Sequence, residues 1–171
     1  MDRQARQRVL ARPARLTQVD APGGWYAAPP ALPDAASGLV STIDDLDAVT
    51  AMLAADGGGL LSADSVRLML QDRTSERDKA ENEIFFGGRS GWGLMMAVLA
   101  ATPADPGSLP SVPGGWGTPD GYGWDGGSGT TWRTDPATGL TGILLTQRMM
   151  TSPALPPVAR DFWAAARAAC A

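Results

Sequence analysis

Apolar residues recur at helical spacing in three places along the chain, with strand-like runs between the second and third. Ile43, Leu46, Val49, Met52 and Leu53 follow the spacing that lines one face of a helix. Ser41 or Thr42 stands before this run as a cap. Asp44 or Asp45 completes a Ser/Thr-x-x-acid box, and Gly57-Gly58-Gly59 supplies the stop. A second helix is predicted to start at Ser62, with Asp64 in its first turn and Val66, Met69 and Leu70 on one face. A third runs from about Pro156 to Ala169. Its first turn holds Pro156-Pro157, and Val158, Phe162, Trp163 and Ala166 form its apolar stripe.

From Phe85 onward, glycine, aromatics and short apolar runs replace helical periodicity. Trp92 to Leu99, after Gly87-Gly88, reads as one strand. Tyr122 to Gly127 and Thr130 to Thr134 read as two more. Asp135-Pro136-Ala137-Thr138-Gly139 makes a turn, and Leu140 to Gln147 is an apolar strand. Three antiparallel strands joined by short turns are the simplest arrangement of the last segments. Residues 16–38 are an irregular lead-in, with Pro22, Pro29, Pro30 and Pro33 around Trp25 and Tyr26. The charge run at 72–83 reads as a solvated connector with Lys79 exposed. The Pro/Gly-rich loop at 102–119 is long enough to suggest a functional rim or a mobile segment. A helix pair, antiparallel strands and then a helix give an α+β layout.

Composition narrows this picture. A chain of 171 residues suits one domain or one piece of a larger domain, and 44% apolar content suits a globular protein. A net charge of −4 offers no overall field for nucleic acid, so no nucleic-acid partner is expected. Residues 1–15 carry Arg3, Arg6, Arg8, Arg12 and Arg15 without interleaved aromatics and read as a cationic arm distinct from residues 16–171. No stretch has the apolar length of a signal peptide core or a bilayer span, so a cytoplasmic protein without membrane contact is expected. Cys170 is the one cysteine, which excludes an internal disulfide. With no histidine, one lysine and one asparagine, the chain has no His-based triad and no His-bearing metal site. Asp44, Asp45 and Asp47 could be an all-acid metal set, but in a first helical turn such residues serve the helix dipole. No metal and no cofactor are expected.

The densest chemistry lies in Gly121 to Trp132, where five glycines and two tryptophans fall within twelve residues. Gly121-Tyr122-Gly123-Trp124-Asp125-Gly126 has the G-x-G-x-x-G pattern of dinucleotide sites. That pattern works only between a strand and a helix N-terminus, and a strand-like sequence follows here. Ser128 in Gly126-Gly127-Ser128-Gly129-Thr130 approaches a nucleophile elbow. Its fifth position is Thr, no helix follows and no histidine can activate it.

Several blocks in order carry a resemblance. Ser37-Gly38-Leu39-Val40-Ser41-Thr42-Ile43-Asp44-Asp45-Leu46 comes first. Leu60-Leu61-Ser62 with Val66-Arg67-Leu68-Met69, and Phe85-Phe86-Gly87-Gly88 with Gly91-Trp92-Gly93, come next. Tyr122 to Gly127 through Asp135-Pro136, and Leu144-Leu145-Thr146-Gln147-Arg148, complete the set. Together, over about residues 20–168, they resemble the C-terminal half of the β-lactamase-related serine hydrolases, which include class C β-lactamases, penicillin-binding proteins and family VIII-type esterases. The resemblance implies a partial β-lactamase/transpeptidase-like fold, with antiparallel strands, a packed C-terminal helix and a preceding helix pair.

That family uses the Ser of a Ser-x-x-Lys as nucleophile, a Tyr-x-Asn for proton transfer, and a strand-borne third motif that begins with Lys, Trp or His. By the resemblance the third motif here is Trp124-Asp125-Gly126, lining the substrate wall, and the backbone N–H of Gly127 is an oxyanion donor. The departures weigh as much. No Ser in this sequence has Lys three residues later, and neither Tyr26 nor Tyr122 begins a Tyr-x-Asn.

The resemblance also implies that N-terminal strands pair beside the last strand, so Leu140 to Gln147 is expected to be an open apolar edge prone to self-association. Two functions remain open. One is the C-terminal part of an ester- or amide-cleaving serine hydrolase, inactive alone and acting on a small substrate once completed. The other is a non-catalytic remnant or protein-binding module that uses the cleft wall or the sheet edge. A soluble structural domain without a ligand is a third.

Overall fold

The computed structural model describes residues 20, 22–29, 32, 39–82, 90–99, 108–109, 112–113, 121–152 and 155–170. The Arg-rich arm, most of the 102–119 loop, the Phe85-Phe86-Gly87-Gly88 run and Ser37-Gly38 lie outside these residues. The chain divides into two units, Met1–Ser41 and Thr42–Ala171. Among the described residues of the first, a 3-10 turn covers Trp25–Ala27, and the Tyr26 N–H reaches the Asp20 carboxylate at 3.4 Å.

The second unit is an α+β assembly. Helix α1 (Ile43–Ala54) begins at Thr42, whose hydroxyl accepts the Asp45 N–H at 3.2 Å while the Asp45 carboxylate accepts the Thr42 N–H at 3.3 Å. This reciprocal box satisfies two helix-end donors at once. Asp56 and Gly57-Gly58-Gly59 all take positive φ and end the helix as the sequence predicts. Helix α2 (Ala63–Met69) is capped by Ser62 and buries Val66.

The charged connector is not wholly solvated. Ser75 and Asp78 form a second capping box that starts helix α3 (Glu76–Glu81). Lys79 on this helix bonds the Asp72 carboxylate at 2.8 Å and is only 13% exposed. The expectation of an exposed Lys79 is corrected, because its alkyl stem is covered while its ammonium meets a carboxylate.

Strands β1 (Ser90–Trp92), β2 (Ala97–Leu99), β5 (Tyr122–Gly126), β6 (Thr130–Asp135) and β7 (Leu140–Leu145) form one antiparallel sheet in the order β1-β2-β5-β6-β7. Between them, β3 (Ser108–Leu109) and β4 (Val112–Pro113) make a separate two-stranded ladder. The predicted single strand from Trp92 to Leu99 is in fact the end of β1, a turn and β2. Gly93 donates to the Met96 carbonyl at 2.9 Å, which folds the chain back so that Trp92 faces Ala97. A side chain at Gly93 would collide with the Met69 carbonyl. The predicted last strand also stops early, at Leu145, because Thr146 turns away to bond Gly129.

The sheet separates two cores. On one face Val98, Tyr122 and Trp132 pack with Leu53, Val66 and Met96 from the α1–α2 side. On the other, helix α4 (Pro157–Cys170) sets Ala159 and Trp163 against Leu140, Leu144 and Leu155. The predicted α4 stripe holds for Phe162, Trp163 and Ala166, but Val158 is exposed and Ala159 takes the inward place. Both α1 and α4 lie against β7.

Helix α4 seats on the sheet because Gly142 has no side chain. An added Cβ would stand 2.2 Å from the fully buried Trp163 ring. Gly142→Val is therefore expected to overpack this interface and destabilise the protein by about 1–3 kcal/mol. Chemical denaturation at matched pH reads this as a lower midpoint.

Candidate functional site

Strand β5 has two unequal edges. Along β6 it is paired at every residue from Tyr122 opposite Thr134 to Gly126 opposite Thr130. Along β2 it is paired only at Tyr122 and Gly123, opposite Val98 and Ala97. Among the described residues, Trp124 to Gly126 therefore have a strand on one side only. Strand alternation puts Tyr122, Trp124 and Gly126 on the face toward α1 and α2. Tyr122 is buried in that core, whereas Trp124 is 37% exposed and meets Trp92 in an edge-to-face contact with centroids 4.4 Å apart. Burial pushes the Tyr122 phenol above its ordinary pKa, against the opposing hydrogen bond with Thr134, so it keeps its proton at neutral pH.

Gly127 follows β5 as the first residue of the turn into β6, is exposed, and has open space where a Cβ would be. The carbonyls of this turn are drawn back by the segment after β7. Met150 N–H donates to the Gly127 carbonyl at 2.8 Å, and the Gly129 carbonyl accepts from Thr146 N–H at 3.2 Å and the Thr146 hydroxyl at 2.6 Å. Gly129 has φ near +88°, and a Cβ there would collide with the Arg148 carbonyl, so glycine is required. Among the described residues no backbone carbonyl accepts the Gly127 N–H. A strand-end N–H so placed can donate to an oxyanion without prior reorganisation.

Asp125 stands on the opposite face. Its carboxylate accepts from the Thr131 hydroxyl at 2.5 Å and pairs with the Arg133 guanidinium, and both groups are largely buried. The Trp163 indole N–H donates to the Thr131 hydroxyl at 3.1 Å, and the guanidinium lies 5.7 Å above the Trp163 ring. The side chain of Asp125 thus braces β5 against β6 and α4. Trp124 and Gly126 share the other face, and Gly127 follows them in the turn. The period-two alternation of Tyr122 to Gly126 already separates Trp124 from Asp125, but the Arg133 partner left no local signal.

Sequence reasoning missed a second brace. Asp72 accepts from Thr74 N–H at 2.9 Å, from the Thr74 hydroxyl and from Trp92 N–H at 3.3 Å, and it binds Lys79. The Trp92 carbonyl accepts Arg73 N–H at 2.8 Å. Gly91 admits the carboxylate, since a Cβ would overlap it. Asp72-Arg73-Thr74 has the form of an Asx turn, the one local hint of this arrangement. Lys79, the only lysine, is thereby held in ion pairs with Asp72 and Glu76. Burial disfavours the Asp72 carboxylate, but the bonds from Lys79 and Thr74 and the Lys79 charge together outweigh it and hold its pKa below the ordinary value. The Asp72 bond raises the Lys79 pKa. Among the described residues no cluster of His, Cys, Asp and Glu could hold a metal ion. None of the described helices is long and apolar enough to cross a membrane.

A family model described as Beta-lactamase matches residues 2–166. Two curated proteins of Mycobacterium tuberculosis strains, Uncharacterized protein MT1414 and Protein Rv1367c, are each 38% identical over 136 residues, which cover 75% of this chain. The chain spans about a third of the length of these relatives, 32% in each case. Among solved structures, an unliganded Simvastatin Synthase (LovD) from Aspergillus terreus superposes with a TM-score of 0.55 at 22% identity. The superposition covers 78% of this chain and 36% of that one, and it shows a shared fold.

Because the folded-state pKa of Asp72 is depressed, the stability it contributes is present above the unfolded carboxylate value and is lost as pH falls through the folded one. Denaturation midpoints followed downward from pH 6 should fall more steeply through the acid range in the wild type than in Asp72→Asn, and the two profiles should converge at the acid end.

Proposed function

The chain belongs to the beta-lactamase family, and on that premise we propose that it supplies one wall of a serine-hydrolase site cleaving esters or amides through an acyl-serine. The observation that carries this reading is the end of β5, where the exposed Trp124 lies in the stretch paired with β6 alone among the described residues and the Gly127 N–H that follows it has no backbone acceptor among them. In this reading Gly127 N–H donates to the developing alkoxide. Trp124 and Gly126 line the substrate, and Asp125 holds the strand from behind. The nucleophile and its lysine come from a segment with a Ser-x-x-Lys, which these 171 residues do not contain.

Trp124 stands where the family motif can place a lysine, and an indole offers no cation for the carboxylate of a β-lactam. This favours neutral esters over β-lactams. A second reading, a non-catalytic module that pairs through its sheet, is supported by β7. Among the described residues that strand ends the sheet order, and it carries Ile143 and an exposed Leu145.

Alone, the chain is expected to turn over neither nitrocefin nor p-nitrophenyl esters above background. The genomic DNA upstream of the Met1 codon is expected to encode a Ser-x-x-Lys. Supplied with that segment, the protein should hydrolyse p-nitrophenyl esters. Gly127→Pro, which deletes one N–H, should then lower kcat by about 10²–10³. Full activity in Gly127→Pro would dismiss this donor. In sedimentation, self-association of the isolated chain should be relieved by Leu145→Lys, since a charge on an edge strand opposes pairing; unchanged association would remove the edge as the contact.

A further inference from the structure

The turn between β1 and β2 carries two large apolar residues in solvent, Leu94 at 60% and Met95 at 54% exposure. Loosely held surface loops show isolated apolar residues without consequence, but this turn is fastened at several points. Leu94 N–H donates to the Met69 carbonyl at 3.0 Å at the end of α2, and Gly93 N–H to the Met96 carbonyl at 2.9 Å. The Asp72 brace holds Trp92 immediately before it.

Sheet register fixes where the turn lies. Ala97 is opposite Gly123, so the residues preceding Ala97 run beside the part of β5 that has no further strand on that side. The contact of Trp92 with Trp124 confirms this adjacency. Two tryptophans in edge-to-face contact and two exposed aliphatic side chains thus border the unpaired edge of β5. An apolar patch on a rigid backbone beside a polar strand edge is suited to a ligand with an apolar arm and a polar head.

Distance along the strand sets the size of that arm. Trp124 and Gly127 are three residues apart, about 10 Å at the usual rise of a strand. A polar head at the Gly127 N–H leaves a one-carbon group well short of the tryptophan pair, whereas a medium-length chain bridges the gap. We propose that Trp92, Trp124, Leu94 and Met95 form a subsite for a neutral hydrocarbon chain of about six carbons carried by the substrate. The proposal rests on the hydrolase reading of the β5 edge and deepens it by naming the substrate class. Each methylene buried there tightens binding roughly fourfold, which makes the subsite selective for chain length.

The test uses the chain itself and needs no turnover. Methyl hexanoate, hexyl acetate and methyl acetate are titrated into 15N-labelled protein, and the indole N–H signals of Trp92 and Trp124 are followed, assigned from Trp92→Phe and Trp124→Phe. Saturable shifts with either six-carbon ester, and none with methyl acetate, are expected. Comparing the two six-carbon esters shows whether the chain belongs to the acyl or the alcohol side. The double variant Leu94→Ser/Met95→Ser should bind at least about fivefold more weakly. Leu60→Ser, which alters a still more exposed leucine elsewhere, should bind like the wild type.

Absence of saturable shifts, or equal affinity in the double variant with unchanged circular dichroism, would overturn the subsite. The hydrolase reading fails separately. Chain binding with no hydrolysis in the completed domain removes the hydrolase and leaves the subsite. Equal kcat/KM for methyl acetate, methyl hexanoate and hexyl acetate removes the subsite and leaves the hydrolase.

Discussion

The ion pair of Arg133 with Asp125, roofed by the Trp163 ring, is the contact on which the rest of the structure depends. It joins adjacent strands β5 and β6 on the face covered by α4, and the Trp163 indole extends it to the helix through Thr131. Two charges removed from water lose several kcal/mol of hydration each, which their mutual attraction recovers only with good geometry and further hydrogen bonds. Thr131 and the aromatic ring supply those further contacts. Removing one partner of such a pair leaves a buried charge at a cost of about 3–5 kcal/mol, so the arrangement resists gradual loosening. In the proposed site this matters because the strand that bears Trp124 and leads into Gly127 is fixed from behind, while beyond Gly123 its other edge has no partner strand among the described residues.

Two other devices act on the same strand from different directions. Thr146 and Met150 hold the carbonyls of the turn after β5, and among the described residues no backbone carbonyl takes the Gly127 N–H. Asp72 and Lys79 hold Trp92, whose ring meets Trp124. Each brings residues distant in sequence to the few atoms at the end of β5. In the proposed site this matters because donors held in place beforehand stabilise developing charge most effectively, with no reorganisation at the moment of reaction.

Much of the local structure was legible in the sequence. Thr42 with Asp45, Ser62, the glycine run after Ala55 and the Asp135 to Gly139 turn act through neighbours only a few residues away, and each forms as its residue types require. The family resemblance, carried by ordered blocks, anticipated the fold class. The division of Trp92 to Leu99 into two strands was not legible, because an apolar run bearing one glycine looks the same whether it continues or folds back. Nor was the inward place of Ala159, since an alanine and a valine at adjacent helical positions differ little until the sheet chooses which one faces it.

The candidate site divides along the same line. The sequence by itself determined that Trp124 to Gly127 lie at the end of a glycine-rich strand, that no histidine chemistry is available, and that the family's nucleophile motif is absent from these residues. Only the tertiary structure decided that Asp125 turns to Arg133, that Lys79 is held by Asp72, and that Trp92 meets Trp124. The reason is physical. Capping, turns and alternation are set by interactions within a few residues, whereas these three pairs join residues 8, 7 and 32 positions apart, and only the register of the sheet and the seating of its helices bring them together.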